Sequence, residues 1–320
     1  INHLPEPTTI HWHGIRLPLE MDGVPYVSQA PVLPGEFFDY RFVTPDAGSY
    51  WYHPHESSAK QLGRGLVGPL IIEEREPSGF RHERTLCLKS WHVDEEGAFT
   101  AFSVPREAAR EGTRGRLSTI NGVSLPTLEL PAGQVVRLRL INVDSTITYR
   151  LNLSSGEARI YALDGNPIKP RPLGKEYWLG PGMRIDLALK VPAIGSEELS
   201  LRNGPLRLST IKSVASSEPA AEWPPALPAN PVAEPDLAQA ETLRFNFEWA
   251  ASLASPADEA AGRYKYWQIN GQAWDINDKT CADRPIAKLK RDGHYIFVLR
   301  NMAQYQPVSY THLRAHETSL

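Results

Sequence analysis

One short pattern recurs three times along the chain and limits the possible folds more than any other feature. A glycine is followed by a run in which apolar and polar residues alternate, at 33–42, 131–142 and 291–301. Alternation of period two is typical of a β-strand. In the second copy it puts Val136, Leu138 and Leu140 on one face and the arginines on the other. We therefore predict a repeated β-strand unit.

The spacing of the copies predicts the kind of domain. Ile-Asn-Gly, which contains a strong turn signal, precedes the second and third copies at 120–122 and 269–271. Gly35 and Gly133 are separated by about 100 residues, the size of one β-sandwich domain. Repeats of one unit indicate repeated domains. Because 28 prolines and 23 glycines separate many short apolar runs, we predict an all-β fold, with a helical pattern only at 105–111.

A division into segments follows from these patterns. The first β-sandwich is expected at 1–78, and the second at 79–213. Residues 214–241 are rich in proline and alanine and lack alternation, which is typical of an extended linker. A third β-sandwich is expected to begin at 242 and to run to 306.

Composition excludes two classes of partner. The net charge is -3 and no basic run occurs, which argues against a nucleic-acid binder. No apolar stretch approaches the roughly 20 residues of a membrane-spanning helix. The two cysteines, Cys87 and Cys281, cannot form a disulfide framework, and we expect two unrelated thiols.

Two His-x-His motifs carry the candidate chemistry. His11 and His13 lie in Thr-Ile-His-Trp-His-Gly, and His53 and His55 lie in Tyr-Trp-Tyr-His-Pro-His. Residues at i and i+2 share one face of a strand, so each pair projects together. If the two strands are neighbours, four imidazoles converge, and imidazole binds copper, zinc and iron. The alternative from spacing alone is that these are ordinary strand histidines.

The surrounding residues resemble a known family. Residues 1–74, from Thr-Thr-Ile-His-Trp-His-Gly through Tyr-Trp-Tyr-His-Pro-His to Gly-Pro-Leu-Ile-Ile-Glu-Glu, resemble the first cupredoxin domain of multicopper oxidases of the laccase-like, three-domain bacterial type. Residues 120–184 resemble the second domain, which carries no copper, and 266–302 resemble the opening of the third. The resemblance implies consecutive cupredoxin-like Greek-key β-sandwich domains.

The resemblance also implies residue roles. His11 corresponds to a ligand of the type-2 copper, and His13, His53 and His55 correspond to ligands of the paired type-3 coppers of a trinuclear cluster. Asp22 matches an acidic residue that helps to supply protons during oxygen reduction, although a turn residue before a glycine is the other interpretation.

The implied reaction couples one-electron oxidation of a substrate to the four-electron reduction of dioxygen to water. Four coppers are expected in a complete enzyme, with a phenol, an aromatic amine or a metal ion as electron donor. The resemblance implies a periplasmic or extracellular location. The substrate and the oligomeric state cannot be read from the sequence.

The resemblance ends at residue 306. Residues 307–320 do not continue the family pattern, and we interpret them as a non-family tail in which His312 and His316 are not ligands. No His-Cys-His motif occurs, so the type-1 copper site is expected to be absent. From this ending and from the start at Ile1, we expect a piece truncated at both ends that is inactive alone because copper ligands are missing.

Competing interpretations remain open at this stage. A zinc hydrolase also uses His-x-His, but its usual Asp-His continuation is absent here. A cupin-like site would leave the second histidine pair without a role. A half-assembled fragment without chemistry is the third alternative. Analysis of the bound metal distinguishes these interpretations, because copper supports the oxidase and zinc or iron supports the rivals. The other histidines, at positions 3, 82, 92 and 294, are expected to be structural.

Overall fold

The structure is a computed structural model that describes residues 1–196, 198–232, 235–249, 266–273 and 285–303. Cys281, His312, His316 and the tail at 307–320 lie outside the described residues. Within the described ranges, no helix is long and apolar enough to cross a membrane. In the part of the chain that the structure describes, the helices are three short turns, η1 (Leu19–Met21), α1 (Ser58–Gly63) and α2 (Pro105–Ala108). The all-β fold that the sequence predicts is confirmed.

The N-terminal sheet contains both histidine motifs. Its three antiparallel strands, in the order β1-β2-β3, are β1 (His11–His13), β2 (Gly48–His53) and β3 (Gly68–Ile72). In the register of β1 and β2, His11 lies opposite His53 and His13 lies opposite Trp51. Strand β2 is central and buried almost throughout, which fixes the position of the histidine at its end.

Two larger sheets form a sandwich. The six-stranded sheet has the order β10-β9-β12-β7-β4-β5. Its strands are β4 (His82–Trp91), β5 (Leu117–Ile120), β7 (Val135–Asn142), β9 (Glu157–Leu163), β10 (Asn166–Pro172) and β12 (Arg184–Lys190). The five-stranded sheet has the order β11-β8-β13-β14-β6. Its strands are β6 (Thr127–Pro131), β8 (Tyr149–Leu153), β11 (Tyr177–Leu179), β13 (Leu199–Asn203) and β14 (Leu206–Val214).

The core of the sandwich lies between these sheets. Leu138 of β7 and Leu187 of β12 meet Leu151 of β8 and Leu201 of β13 in one buried apolar cluster. Burying side chains of this size stabilises the fold by about 1.5–3 kcal/mol each relative to exposed side chains. Neighbouring strands are often not consecutive in sequence, as when β7 pairs with β4 and β14 pairs with β6.

The repeated unit has a counterpart in the backbone. A fourth sheet, in the order β16-β15-β17, contains β15 (Glu241–Trp249), β16 (Trp267–Ile269) and β17 (Tyr295–Asn301). Strand β15 lies antiparallel to β16 and parallel to β17. Strand β4 has the same relation to β5 and β7. The second and third copies of the sequence pattern, which form β7 and β17, therefore occupy the same place in two similar sheets.

The Asn-Gly turns are also equivalent. Asn121 and Gly122 have φ of 52° and 80°, and Asn270 and Gly271 have φ of 51° and 73°. Both residues of each turn lie in the left-handed region, which asparagine and glycine tolerate best. The Asn121 side chain accepts a hydrogen bond from the Cys87 backbone N–H at 2.8 Å. The Asn270 side chain accepts the equivalent hydrogen bond from the Asn246 backbone N–H of β15, at 2.8 Å.

The first copy of the pattern differs from the other two. Residues 36–43 alternate as predicted, because Phe38, Tyr40 and Phe42 are partly buried while Phe37 and Val43 are 70% and 84% exposed. The structure nevertheless gives this segment no strand ladder. A strand needs a ladder of backbone hydrogen bonds to a neighbouring strand as well as alternation. Within the described residues this segment has isolated contacts instead, such as the Asn2 backbone N–H that donates to the Glu36 carbonyl at 2.8 Å.

The linker packs along the sandwich. In the described parts of 215–240 no helix or strand occurs. Leu227 is buried beside Tyr161, whose hydroxyl donates to the Pro224 carbonyl at 2.7 Å. Farther on, the Asn230 side chain donates to and accepts from the backbone of Ala47, at 2.9 Å each. The linker thus holds the N-terminal sheet against the sandwich.

A buried ion cluster joins the N-terminal sheet to the sandwich. It consists of Arg137, Arg139, Glu74, Glu83 and Asp186, on the face of β7 and β12 that is opposite to the sandwich core. The two arginine side chains are 0% and 2% exposed. Arg137 lies 2.6 Å from the Asp186 carboxylate and 2.7 Å from that of Glu74. The polar face that alternation predicts for β7 is therefore buried, with paired charges.

Candidate metal centre

Strands β1 and β2 bring the two histidine motifs together. The ligand nitrogens of His11, His13 and His53 lie within 4.8 Å of one another. All three side chains are buried, with exposures of 1%, 3% and 3%. This arrangement follows from two facts, the shared face of residues at i and i+2 and the direct pairing of β1 with β2. The sequence predicts the first fact, and the structure supplies the second.

His11 is held by the loop that follows η1. Its Nδ1 lies 2.8 Å from the Asp22 carbonyl and 3.2 Å from a carboxylate oxygen of the same residue. Because both neighbours are acceptors, Nδ1 carries the proton and Nε2 keeps its lone pair. Nε2 is buried and has no hydrogen-bond partner within the described residues. A metal-binding histidine typically has this pattern, in which the second nitrogen donates to a carbonyl or carboxylate.

Gly23 permits this close approach of the loop. Its φ is 75°, and a Cβ at this position would lie 1.8 Å from the Ile10 carbonyl oxygen. Any other residue would push the loop away from the start of β1. The turn interpretation of Asp22 is therefore correct for its backbone, and its side chain is in addition 2% exposed and directed at His11.

His13 and His53 face each other. His13 Nδ1 lies 3.1 Å from His53 Nε2, and His53 Nδ1 lies 3.1 Å from the Pro54 carbonyl. Because a carbonyl oxygen can only accept, His53 Nδ1 carries the proton and donates it to the Pro54 carbonyl in a hydrogen bond, which leaves Nε2 as an acceptor. Two nitrogens that are each about 2.0 Å from one metal ion lie about 3 Å apart at an angle of about 100°. The separation therefore fits two ligands of a single ion.

His55 lies just beyond β2 and is less buried than the other three. Its ring centroid is 4.7 Å from that of His11 and 5.2 Å from that of His53. It does not belong to the set of three whose ligand atoms lie within 4.8 Å of one another. The structure thus brings together a tight set of three imidazoles and places the fourth ring at its edge.

Trp51 forms one wall of the site, which the sequence does not single out. Its ring stacks on His53, with centroids 4.3 Å apart, and lies 5.0 Å from the His13 ring. The side chain is 2% exposed. The available signal was its spacing, because residue 51 shares the strand face of residue 53. An indole in this position excludes water from two imidazoles and limits their rotation.

These residues fit a bound metal ion. The donors are imidazole nitrogens, which suit copper and zinc, and the buried lone pair of His11 Nε2 has no other use within the described residues. The carboxylate of Asp22 is the acidic group in contact with His11. A divalent ion at this position would compensate the removal of these polar atoms from water.

The other described histidines have structural surroundings. His3 is exposed, and His82 lies 2.9 Å from the Glu218 carboxylate. His92 is 3% exposed and lies 2.9 Å from the Thr113 carbonyl. His294 accepts a hydrogen bond from the Asp236 backbone N–H at 3.1 Å. None of them belongs to the set of three converging imidazoles.

Comparison with known proteins identifies relatives of the whole chain. Residues 1–77 match a family model described as multicopper oxidase. A multi-copper oxidase from Pseudomonas thermotolerans has a solved structure that is 72% identical, with a TM-score of 0.87; the match covers 95% of this chain and 71% of that one. One from Pseudomonas parafulva is 69% identical with a TM-score of 0.86, and the match covers 96% of this chain and 72% of that one.

A curated relative is considerably longer. A multicopper oxidase of Staphylococcus epidermidis is 31% identical over 210 residues, which are 63% of this chain and 45% of that protein. The chain therefore spans about half the length of the curated relatives that it matches over most of its residues.

Proposed function

This chain belongs to the multicopper oxidase family, and from that premise we propose that it provides part of the copper cluster at which dioxygen is reduced to water. The observation that carries the proposal is the convergence of three buried imidazoles, with the lone pair of His11 Nε2 buried and without a hydrogen-bond donor among the described residues. His11 is the proposed type-2 ligand. His13, His53 and His55 are the proposed type-3 ligands.

Copper, when bound there, supplies one-electron redox chemistry between a donor and dioxygen. The chain's own residues orient the imidazoles. Asp22 fixes the His11 proton on Nδ1, and the Pro54 carbonyl does the same for His53. Trp51 keeps water from the rings of His13 and His53. A phenol, an aromatic amine or a metal ion is the proposed electron donor, and the periplasm or the extracellular space is the proposed location.

Metal analysis of the 320-residue chain tests the ligand set. We expect the wild-type chain to take up copper in an equilibrium titration, and the double variant His13→Ala, His53→Ala to bind it at least about tenfold more weakly, because the removal of two of the four histidine ligands weakens metal binding. The matched control is His3→Ala, whose side chain is exposed. Circular dichroism shows whether each variant is folded.

Two results would count against the proposal. Equal copper affinity of the double variant and the control would remove His13 and His53 from the ligand set. Retention of one zinc ion per chain, with copper rejected, would favour a hydrolytic metal site instead.

Asp22 is the proposed proton donor of the site. We expect Asp22→Asn to slow dioxygen consumption by at least about tenfold in a form of the protein that turns over, because a positioned carboxylic acid is lost. Copper content should stay unchanged, since the backbone carbonyl of residue 22 still accepts the His11 proton at 2.8 Å. An unchanged oxygen rate at equal copper content would leave residue 22 with a positioning role only.

A further inference from the structure

A cavity of about 390 Å³ lies between the N-terminal sheet and the edge of the sandwich. Val67 and Pro69, at the start of β3, form one wall, and Cys87, Lys89 and Trp91 of β4 form the other. None of the four site histidines lines it. Its size and its position between two packed sheets are typical of small-molecule sites, which measure roughly 300–1,000 Å³ and favour domain interfaces.

Lys89 is the one basic side chain that lines this cavity. Alternation along β4 puts Leu86 and Leu88 in the sandwich core, so Cys87 and Lys89 face the opposite way, into the cavity. Lys89 is 4% exposed. Its Nζ lies 5.0 Å from the centroid of the Trp91 ring, and it makes no hydrogen bond or ion pair within the described part of the chain.

Asp144 does not form an ion pair with this amine within the described residues. Asp144 acts on Lys89 only through the electrostatic field, and its carboxylate already accepts hydrogen bonds from the Ser90 N–H at 2.6 Å and the Tyr149 hydroxyl at 3.2 Å. Burial lowers the pKa of Lys89, and Asp144 opposes that shift. A cationic donor in a largely apolar cavity is stabilised when an anion supplies a hydrogen-bond acceptor there.

We propose that this cavity binds a small aromatic carboxylate, with the carboxylate on Lys89 Nζ and the ring against Val67, Pro69 and Val143. The single buried cation selects an anionic group. The surrounding apolar wall selects a flat apolar body over a small hydrated anion. The cavity is a second site, and its occupancy does not depend on metal at the histidines.

Titration calorimetry with benzoate on the 320-residue chain tests this site. We expect one saturable site, weakened at least about tenfold by Lys89→Met, which removes the charge and keeps the length of the side chain. The control Lys212→Met changes an exposed lysine that pairs with Glu129, and it should leave benzoate binding unchanged. Benzyl alcohol, which lacks the charge, and acetate, which lacks the ring, should each bind at least about tenfold more weakly than benzoate.

The proposal is overturned if Lys89→Met binds benzoate as the wild type does, or if no saturable binding occurs up to about 10 mM. Thermal melting reports whether the variant is folded. If it is not, a crystal of the wild-type chain soaked in 4-bromobenzoate decides the question. Anomalous bromine signal beside Lys89 supports the site, and signal only elsewhere, or none, refutes it.

Discussion

Tyr50 carries a titratable hydroxyl into the contact between β2 and the sandwich. The residue is 3% exposed, and the Arg184 guanidinium lies 5.9 Å from its ring centroid. Burial raises the pKa of Tyr50 to about 12, and the negative charge of Asp46 adds to the shift. The folded chain therefore keeps this phenol protonated at a pH at which the unfolded chain releases the proton.

The sign of the resulting pH dependence is fixed. The contribution of Tyr50 to the unfolding free energy is complete below pH 10. It is lost as the pH rises from 10 to about 12, because in this range Tyr50 ionises in the unfolded state and not in the folded state. The loss amounts to about 2–3 kcal/mol of unfolding free energy. We expect the Tyr50→Phe variant to lack this loss. Urea unfolding at several pH values should therefore show that its unfolding free energy falls less steeply between pH 10 and 12 than that of the wild type.

The comparison with Tyr50→Phe isolates one group. Cys87, whose pKa burial raises to about 11, contributes to alkaline loss in both proteins and cancels in the difference. Identical slopes for wild type and variant between pH 10 and 12 would show that the Tyr50 hydroxyl has its ordinary pKa.

At the scale of elements, β2 connects the candidate metal centre to the sandwich. Ser49, at its start, donates to Asp186 at 2.7 Å and accepts from Arg139 at 3.1 Å. The Arg184 side chain donates to the Ser49 carbonyl at 3.1 Å. His53 lies at the other end of the same strand. The position of the histidine therefore depends on contacts with the buried ion cluster.

Removing one carboxylate of the buried ion cluster should destabilise the fold. We expect Asp186→Ala to lower the unfolding free energy by about 3–5 kcal/mol, because the buried Arg137 and Arg139 lose the most buried of the three carboxylates that they share. Asp39→Ala is the matched control, since its pair with Arg41 is 60% and 82% exposed and should contribute less than about 1 kcal/mol. Urea unfolding of both variants measures the difference, and similar losses would contradict the argument.

The elements themselves were predictable where the pattern was local. Alternation identified β7 and β17, and Asn-Gly identified the turns at 121 and 270. The burial of Arg137 was not predictable, because its acidic partners Glu74 and Asp186 lie far away in sequence. The sequence also could not show whether residues 36–43 have a neighbour, since alternation describes one strand and not its pairing.

The same distinction applies to the candidate site. The i, i+2 spacing predicted that each histidine pair would project together, and the pairing of β1 with β2 brings the pairs into contact. The ring nitrogen that each histidine directs inward depends on carbonyls of Asp22 and Pro54, which a spacing rule cannot locate. The Lys89 cavity forms only when two sheets pack, so no local sequence pattern predicts it.

At the scale of the whole molecule, contacts between sheets hold the parts together. Asn230 of the linker bonds to the Ala47 backbone, and Arg16 forms a two-point pair with Asp46, at 2.6 and 2.7 Å, beside it. The Trp267 indole of the fourth sheet donates to the Ala109 carbonyl at 3.1 Å. The position of the N-terminal sheet therefore depends on its contacts with the linker and the sandwich.

The segment at 36–43, in which exposed and partly buried side chains alternate, has a consequence for the behaviour of the protein in concentrated solution. Its backbone has no strand ladder, and Phe37 and Val43 are exposed beside it. An open apolar edge accepts a strand from another molecule, which is the first step of aggregation. Light scattering should rise with protein concentration and rise less for Val43→Lys, and equal scattering would contradict this. Colloidal stability, and with it the shelf life of a purified sample, would then be set by eight residues that supply no ligand to the candidate metal centre.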